Sequence, residues 1–194
     1  MSEVFRPGAG VLYMKVGTHA NEPLDEIIAR KQAEIDQAGF ALWGYGGNTC
    51  HPSTMVQPFA RDFSSRGETI RLVMEPMQSN HFAVSARARE MSSDGIDWQQ
   101  IPDPINVLGS RYALAITDLQ PVELELPLTR TRVAIGNSRG RRGDEYIKGR
   151  VDKAVLEVVD HEPEPSTPDP RPGAAAGIGL VADLVDPYAV FVRA

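Results

Sequence analysis

Residues 21–39 carry the clearest periodic pattern in this chain, and they predict one amphipathic helix. Asn21 can cap its start, Glu22 and Pro23 suit a first turn, and Gly39 stands where a C-cap glycine belongs. Charged residues occupy one helical face, and the opposite face carries apolar residues at helical spacing. These apolar residues are Leu24, Ile27, Ile28, Ile35 and Ala38.

Most of the other apolar runs are short and are separated by glycine and proline, which predicts strands. We place the strands at residues 10–16, 40–45, 69–74, 82–89, 112–119, 122–126, 131–135 and 146–159. A short helix is the alternative for the last of these runs, and residues 57–65 suit a short helix or a loop. One main helix with many short strands predicts an α+β domain on a strongly bent, barrel-like antiparallel or mixed sheet.

The composition changes near residue 160. Residues 160–173 combine prolines with acidic residues, as extended linkers do, and residues 174–194 are apolar again. We therefore expect a globular domain over residues 1–159, a linker over 160–173 and an apolar docking segment over 174–194. Because exposed apolar segments promote aggregation, the last segment should pack on its own domain, on a protein partner or on another copy of the chain.

The overall composition is that of a soluble globular protein. The net charge of -6 argues against a general binder of polyanions. The single cysteine excludes an internal disulfide and fits a reducing compartment. The first residues lack a signal-peptide pattern, and the longest apolar run is too short to span a membrane. We expect a cytoplasmic protein without membrane association.

Residues 40–61 gather aromatic, glycine, cysteine and histidine residues more densely than any other stretch. Trp43 and Tyr45 share one face of an extended chain and can stack on a flat ligand, with a core position as the alternative. Gly46, Gly47 and Asn48 follow, and glycines allow close approach of a ligand or a sharp bend. We predict that these five residues bind the ligand.

Residues 129–150 form the only concentrated basic region of the chain. Arg139, Arg141 and Arg142 lie in its glycine-rich part, and arginines in such a loop can bind phosphate groups. A solvated hairpin tip is the alternative explanation. We predict that these three arginines contact the phosphates of a nucleotide or a nucleic acid.

Cys50 and His51 suggest an enzymatic alternative, a small hydrolase or transferase that pairs Cys50 with His51, His81 or His19. Adjacent residues on an extended chain point to opposite faces, so Cys50 and His51 are not a ready pair. The histidines also lack the local spacing of a zinc site. We favour a binding role and predict neither a metal nor a cofactor.

Several short features follow one another within residues 10–126. They are VLYMK at 11–15, the helix from Leu24, Trp43, Gly67 with the strand from Thr69, and PVEL at 121–124. Their order resembles the PUA-like superfamily, and within it the EVE and YTH-like domains. Glu68 stands where that family usually has aspartate, and GYGGNTCHP replaces its Asn-rich loop. The resemblance implies a small barrel whose aromatic pocket accepts a nucleobase, often a modified one, with Trp43 as a wall.

These patterns together predict a binding module that recognises a nucleotide or a modified base in nucleic acid. The aromatic and glycine residues would hold the base, and the arginine loop would contact phosphates. The alternatives are the Cys/His enzyme and a structural component of a larger assembly that is captured through residues 174–194.

Overall fold

The computed structural model describes residues 3–46, 51–79, 85–147, 151–165 and 175–194. The helices are α1 (Leu24–Ala38), α2 (Ser53–Ser65) and α3 (Gly143–Tyr146). The strands are β1 (Gly10–Val16), β2 (Ala41–Gly44), β3 (Arg71–Pro76), β4 (Glu90–Ser92), β5 (Gln99–Gln100), β6 (Tyr112–Pro127), β7 (Thr131–Val133), β8 (Lys153–Val158) and β9 (Ala175–Arg193). Short 3-10 turns cover Glu3–Phe5 and Leu128–Arg130.

The strands form one mixed sheet in the order β2–β6–β9–β3–β1–β8–β7, and β4 pairs with both β9 and β5. Strands β1 and β3 are parallel, and the other neighbours are antiparallel. The predicted α+β class is therefore confirmed. Within the described ranges, no bridge joins the end strands β2 and β7. None of the described helices is long and apolar enough to cross a membrane.

Helix α1 lies where the periodic pattern predicts it. Gly39 ends the helix in the left-handed conformation at φ 81°, and its N–H donates to the Ile35 carbonyl at 2.8 Å. The start differs from the prediction, because Asn21 itself has a φ of 65° and lies outside the helix. Pro23 occupies the N-cap position instead.

Strand β9 lies in the middle of the sheet. It pairs with β6 from Ala175 to Phe191, and with β3 from Leu180 to Asp183. Its side chains enter all of the hydrophobic core clusters, for example through Ile178, Leu180 and Val190. The expectation of a separate docking segment over residues 174–194 is therefore corrected, since residues 175–193 complete the sheet of the same domain. Their apolar side chains are covered by this domain itself.

The predicted linker also begins on the domain surface. Thr129 donates to the Glu162 carboxylate at 3.0 Å, and Arg130 donates to the Asp160 carbonyl at 2.5 Å. Residues 166–174 lie outside the described ranges. The domain boundary predicted at residue 159 therefore does not separate two structural units, because chain on both sides of it packs on one sheet.

Other predicted strands change in extent. Strand β6 continues through Pro121, which pairs with Leu180 between two register shifts, where a ladder tolerates proline. The predicted strand over residues 82–89 lies partly outside the described ranges, and its described part forms only the Arg87–Leu108 bridge. Helix α2 covers the 57–65 region, and β8 covers the central part of 146–159.

Both faces of the sheet are covered. One core lies under α1 and α2, which contribute Ile27 and Phe63 to it. The opposite face packs against the 3-10 turns through Phe5 and Leu128. Trp43 belongs to the first core. Strand β2 therefore carries this residue on the face of the sheet that α1 covers.

We expect a chain that ends at residue 165 to lose cooperative unfolding, because β3, β4 and β6 would lose their shared partner. Leu180→Ala should lower the free energy of unfolding by about 2–5 kcal/mol, as for other buried leucines. Urea denaturation followed by circular dichroism measures both effects. The matched control is Ala175→Ser at an exposed position of β9, which should change stability by less than about 0.5 kcal/mol. A cooperative transition in the truncated chain would contradict this account of β9.

Candidate functional site

A cavity of about 380 Å³ opens at the edge of the sheet where β1 and β3 end and β8 begins. This volume falls within the range of about 300–1,000 Å³ that is typical of small-molecule sites. The loop over residues 106–110 and the end of β2 form the facing wall. Side chains that line the cavity include Met14, Lys15, His19, Ile27, Arg30, Lys31, Trp43, Met77, Asn106, Val107, Leu108, Asp152 and Lys153.

Trp43 is the aromatic residue on the cavity wall. Strand β2 holds it opposite Leu114 of β6, and only 5% of its surface is exposed. Most of the ring therefore packs in the core, and the remainder contributes to the cavity. The structure thus places Trp43 in the core, and its role in ligand binding stays a prediction.

The other residues of the aromatic and glycine stretch differ in their position relative to the cavity. Tyr45 is fully buried in the core and does not line the cavity, which corrects its predicted stacking role. Gly46 lies on the cavity wall. Gly47, Asn48 and Cys50 lie outside the described residues.

The arginine loop lies outside the cavity lining. Arg139 and Arg141 are exposed on the turn that follows β7. Arg142 is buried and donates to both carboxylate oxygens of Asp144, at 2.6 and 2.9 Å. The predicted phosphate contact of Arg142 is corrected, because its guanidinium is already paired and removal of one buried partner is costly.

Of the Cys/His alternative, the described ranges include His19, which lines the cavity, and His51. His51 is buried beside Gly136, and its Nδ1 atom has no hydrogen-bond partner among the described residues. Burial lowers the pKa of His51, and a backbone contact with Ile135 acts in the opposite direction. His51 does not line the cavity. The described residues also contain no group of three or more His, Cys, Asp or Glu that could hold a metal ion.

A network of buried charges on α1 borders the cavity, and the sequence interpretation missed it. Arg30 donates to Glu34 at 2.9 Å and to Glu22 at 2.8 Å. Lys31 donates to Glu34 at 2.8 Å, and both residues are almost fully buried. A signal was present, because Ile27, Lys31 and Glu34 share one helical face. Charged residues on an apolar face indicate buried ion pairs.

This network holds the backbone of the 106–110 loop. The Asn106 N–H donates to Glu34 Oε1 at 3.0 Å, and the Asn106 carbonyl accepts from Arg30 at 2.8 Å and from Lys31 at 2.7 Å. One loop residue is therefore fixed at its donor and its acceptor by three charged side chains. Because the loop forms a cavity wall, helix α1 sets the width of the cavity.

The ionisation of the network follows from its burial. Desolvation lowers the pKa of Lys31 to about 8, while the neighbouring Glu34 carboxylate acts in the opposite direction. The hydrogen bond from Arg30 holds the pKa of Glu22 below its ordinary value. Burial and the Glu34 carboxylate thus act in opposite directions on the charge of Lys31, and burial has the larger effect.

Two further lysines give the cavity lining a positive bias. Lys153 lies 3.2 Å from Asp152, and Lys15 makes no ion pair with any described residue. His19 adds a polar ring, whose Nε2 lies 3.0 Å from the Leu108 carbonyl oxygen. In a chain with a net charge of -6, this lining favours an anionic group locally.

No protein-family model, curated protein or solved structure matches this chain. The resemblance to the PUA-like superfamily therefore stays a prediction. Function must be argued from the cavity itself, because a fold alone does not define an activity.

We expect Glu34→Ala to lower the free energy of unfolding by about 3–5 kcal/mol, because Lys31 and Arg30 would lose their shared buried carboxylate. Urea denaturation measures the change. Asp36→Ala is the matched control on the exposed face of α1 and should shift stability by less than about 0.5 kcal/mol. Equal effects of the two substitutions would show that the network does not contribute to stability.

Lys31 should also make stability depend on pH. Its pKa is lowered from 10.5 to about 8 on folding, so the unfolded chain binds more protons at Lys31 between these values. The unfavourable contribution of charged Lys31 is complete below pH 8 and fades as pH rises. The stability of the natural chain relative to Lys31→Met should therefore increase between about pH 7 and about pH 9.5 in urea unfolding. A constant difference would contradict the lowered pKa.

Proposed function

We propose that this protein is a binding module whose cavity receives a nucleobase, either in a free nucleotide or in a nucleic acid. The proposal rests on the observation that Trp43, Lys15 and Lys153 line the same cavity. An aromatic ring binds the face of a base, and ammonium groups bind phosphate as point charges. A base that is extruded from a strand needs a pocket that receives it.

The lining supports a flat and partly polar ligand. Ile27, Trp43 and Val107 supply apolar surface, while Lys15 and Lys153 supply positive charge. Ligand sites in proteins usually combine a mostly apolar lining with a few polar groups that orient the ligand. A nucleotide has both parts, a base with two apolar faces and an anionic phosphate.

A binding role is favoured over catalysis by the way in which the charged groups are used. Arg30, Lys31 and Glu34 are committed to one another and to the loop backbone. His51 does not line the cavity, and the His19 ring on its wall lies 3.0 Å from the Leu108 carbonyl oxygen. Groups that fix structure in this way suit a rigid recognition site, whereas a general base must reach the reacting proton.

The PUA-like resemblance enters this proposal as a hypothesis about ancestry and shape. In a PUA-like domain the bent sheet would form a small barrel with the pocket at one end. The nucleobase proposal does not depend on barrel closure, because the cavity is lined by strand ends, α1 and the 106–110 loop. Capture of a partner through residues 174–194 loses its basis, since β9 is committed to the sheet.

Trp43 provides a direct test, because the chain contains only two tryptophans. The other, Trp98, packs under Arg193, whose guanidinium carbon lies 3.9 Å from the ring centre. In a Trp98→Phe variant all tryptophan emission comes from Trp43. We expect adenosine, guanosine, cytidine or uridine monophosphate to change this emission saturably, with the same dissociation constant in calorimetry.

Two variants locate the binding event. Lys15→Ala combined with Lys153→Ala should weaken nucleotide binding, and mostly at low salt, because the lost contribution is electrostatic. Arg139→Ala combined with Arg141→Ala removes exposed arginines outside the cavity and should leave mononucleotide affinity unchanged. Absence of binding for all four nucleotides and for a mixed-sequence single strand would overturn the proposal.

A further inference from the structure

The Asn106 side chain is a polar group on the cavity wall whose hydrogen-bonding capacity is unused. Its amide oxygen is buried and has no hydrogen-bond partner among the described residues, and the residue lines the cavity. A buried polar atom without a partner costs stability, so native proteins usually satisfy such atoms. A ligand that brings a donor or an acceptor to this amide would remove that cost.

The backbone of Asn106 is held more firmly than that of an ordinary loop residue. Glu34, Arg30 and Lys31 bind its N–H and its carbonyl. The neighbouring side chains, Ile105 and Val107, are buried in a core cluster. The side-chain amide is therefore the only part of Asn106 that is left for a ligand, and the backbone that carries this amide is held in place.

We infer that Asn106 recognises the hydrogen-bonding edge of the bound base, and that Arg30, Lys31 and Glu34 act as positioning residues for it. This inference rests on the proposed function and adds a specificity-determining residue to the same cavity. It also explains why charges are buried on α1. Apolar residues would fill that space at lower desolvation cost, but they would not hold both backbone groups of Asn106.

The chemistry of an amide suits this task. It carries donors on nitrogen and an acceptor on oxygen, and the edges of nucleobases carry donors beside acceptors. The terminal torsion of asparagine is soft, so a half turn brings either end of the amide to the cavity. A ligand whose edge is blocked by a methyl group should lose these bonds and clash with the wall.

The experiment compares each nucleoside monophosphate with its edge-methylated form, for example uridine with 3-methyluridine monophosphate, in calorimetry. The natural chain should bind its preferred base roughly 10- to 100-fold more tightly than the methylated form, because an unpaired amide is costly. Asn106→Leu has a similar shape without polar atoms and should abolish this discrimination. Asn106→Asp keeps an acceptor and loses the donors, so it should change the order of preference among bases.

Glu34→Gln tests the positioning role, because it keeps the shape of the side chain and removes its charge. It should reduce discrimination between the two ligand forms in protein that thermal melts show to be folded. Asn137→Leu is the matched control, an exposed asparagine outside the cavity, and should behave as the natural chain does.

The outcomes separate the inference from the proposal on which it rests. If the natural chain binds none of these ligands, the proposed function fails. If the natural chain binds and discriminates, and folded Asn106→Leu and Asn106→Asp keep the same preference, the cavity binds bases and the role of Asn106 is refuted. Loss of discrimination in Asn106→Leu and an altered order of preference in Asn106→Asp, with Asn137→Leu unchanged, support the inference.

Discussion

Strand β9 holds the two parts of the sheet together, because β6 binds one of its edges while β3 and β4 bind the other. Strands β2 and β6 lie on one side, and β3, β1, β8 and β7 lie on the other. The cavity takes its walls from both sides. Residues after β1 and β3 face the end of β2 and the loop before β6. The two sides of the cavity are thus connected through β9.

The charged network provides the second constraint, since it connects α1 to the loop that closes the cavity. Buried ion pairs contribute little net stability, because desolvation offsets most of their attraction. The carboxylate of Glu34 nevertheless binds two cations and a backbone N–H within 3.1 Å. Loss of Glu34 would leave Lys31 buried without its carboxylate partner and would free the Asn106 N–H. The network therefore specifies one position of the loop more than it stabilises the fold.

The sequence predicted the elements whose signals are local. Strand β1 and helix α1 with its terminal Gly39 follow from patterns that span fewer than about 20 residues each. The sequence correctly indicated that the residues of β9 are apolar, but they were assigned to a separate docking segment. The reason is that the partner strands of β9 lie far earlier in the chain. Glycine and alanine in its first part and the prolines before it also resemble a tethered segment. Pairing over such distances has no signature within the strand itself.

The site was predicted in part, and the difference lies in what each side chain already binds. Trp43 was placed on a pocket wall from its residue type, and the structure puts it at the cavity. Arg142 had the same apparent suitability for phosphate as Arg139, yet Asp144 occupies its guanidinium. Residue type indicates which interactions are available. Only the fold determines which of them have been used within the chain.

Some side chains near the cavity are already paired within the chain and others are not. This difference narrows the range of ligands that the cavity can bind. Arg30 and Lys31 border the cavity, and their hydrogen bonds are directed to Glu22, Glu34 and the loop backbone. A ligand therefore meets the ring of Trp43 and the side chains of Lys15 and Lys153 rather than the cations of α1. A small inorganic anion would use only the charged part of this lining. A planar ligand with a polar edge and a peripheral negative charge would use all of it, which is why the lining fits a nucleotide better than phosphate alone.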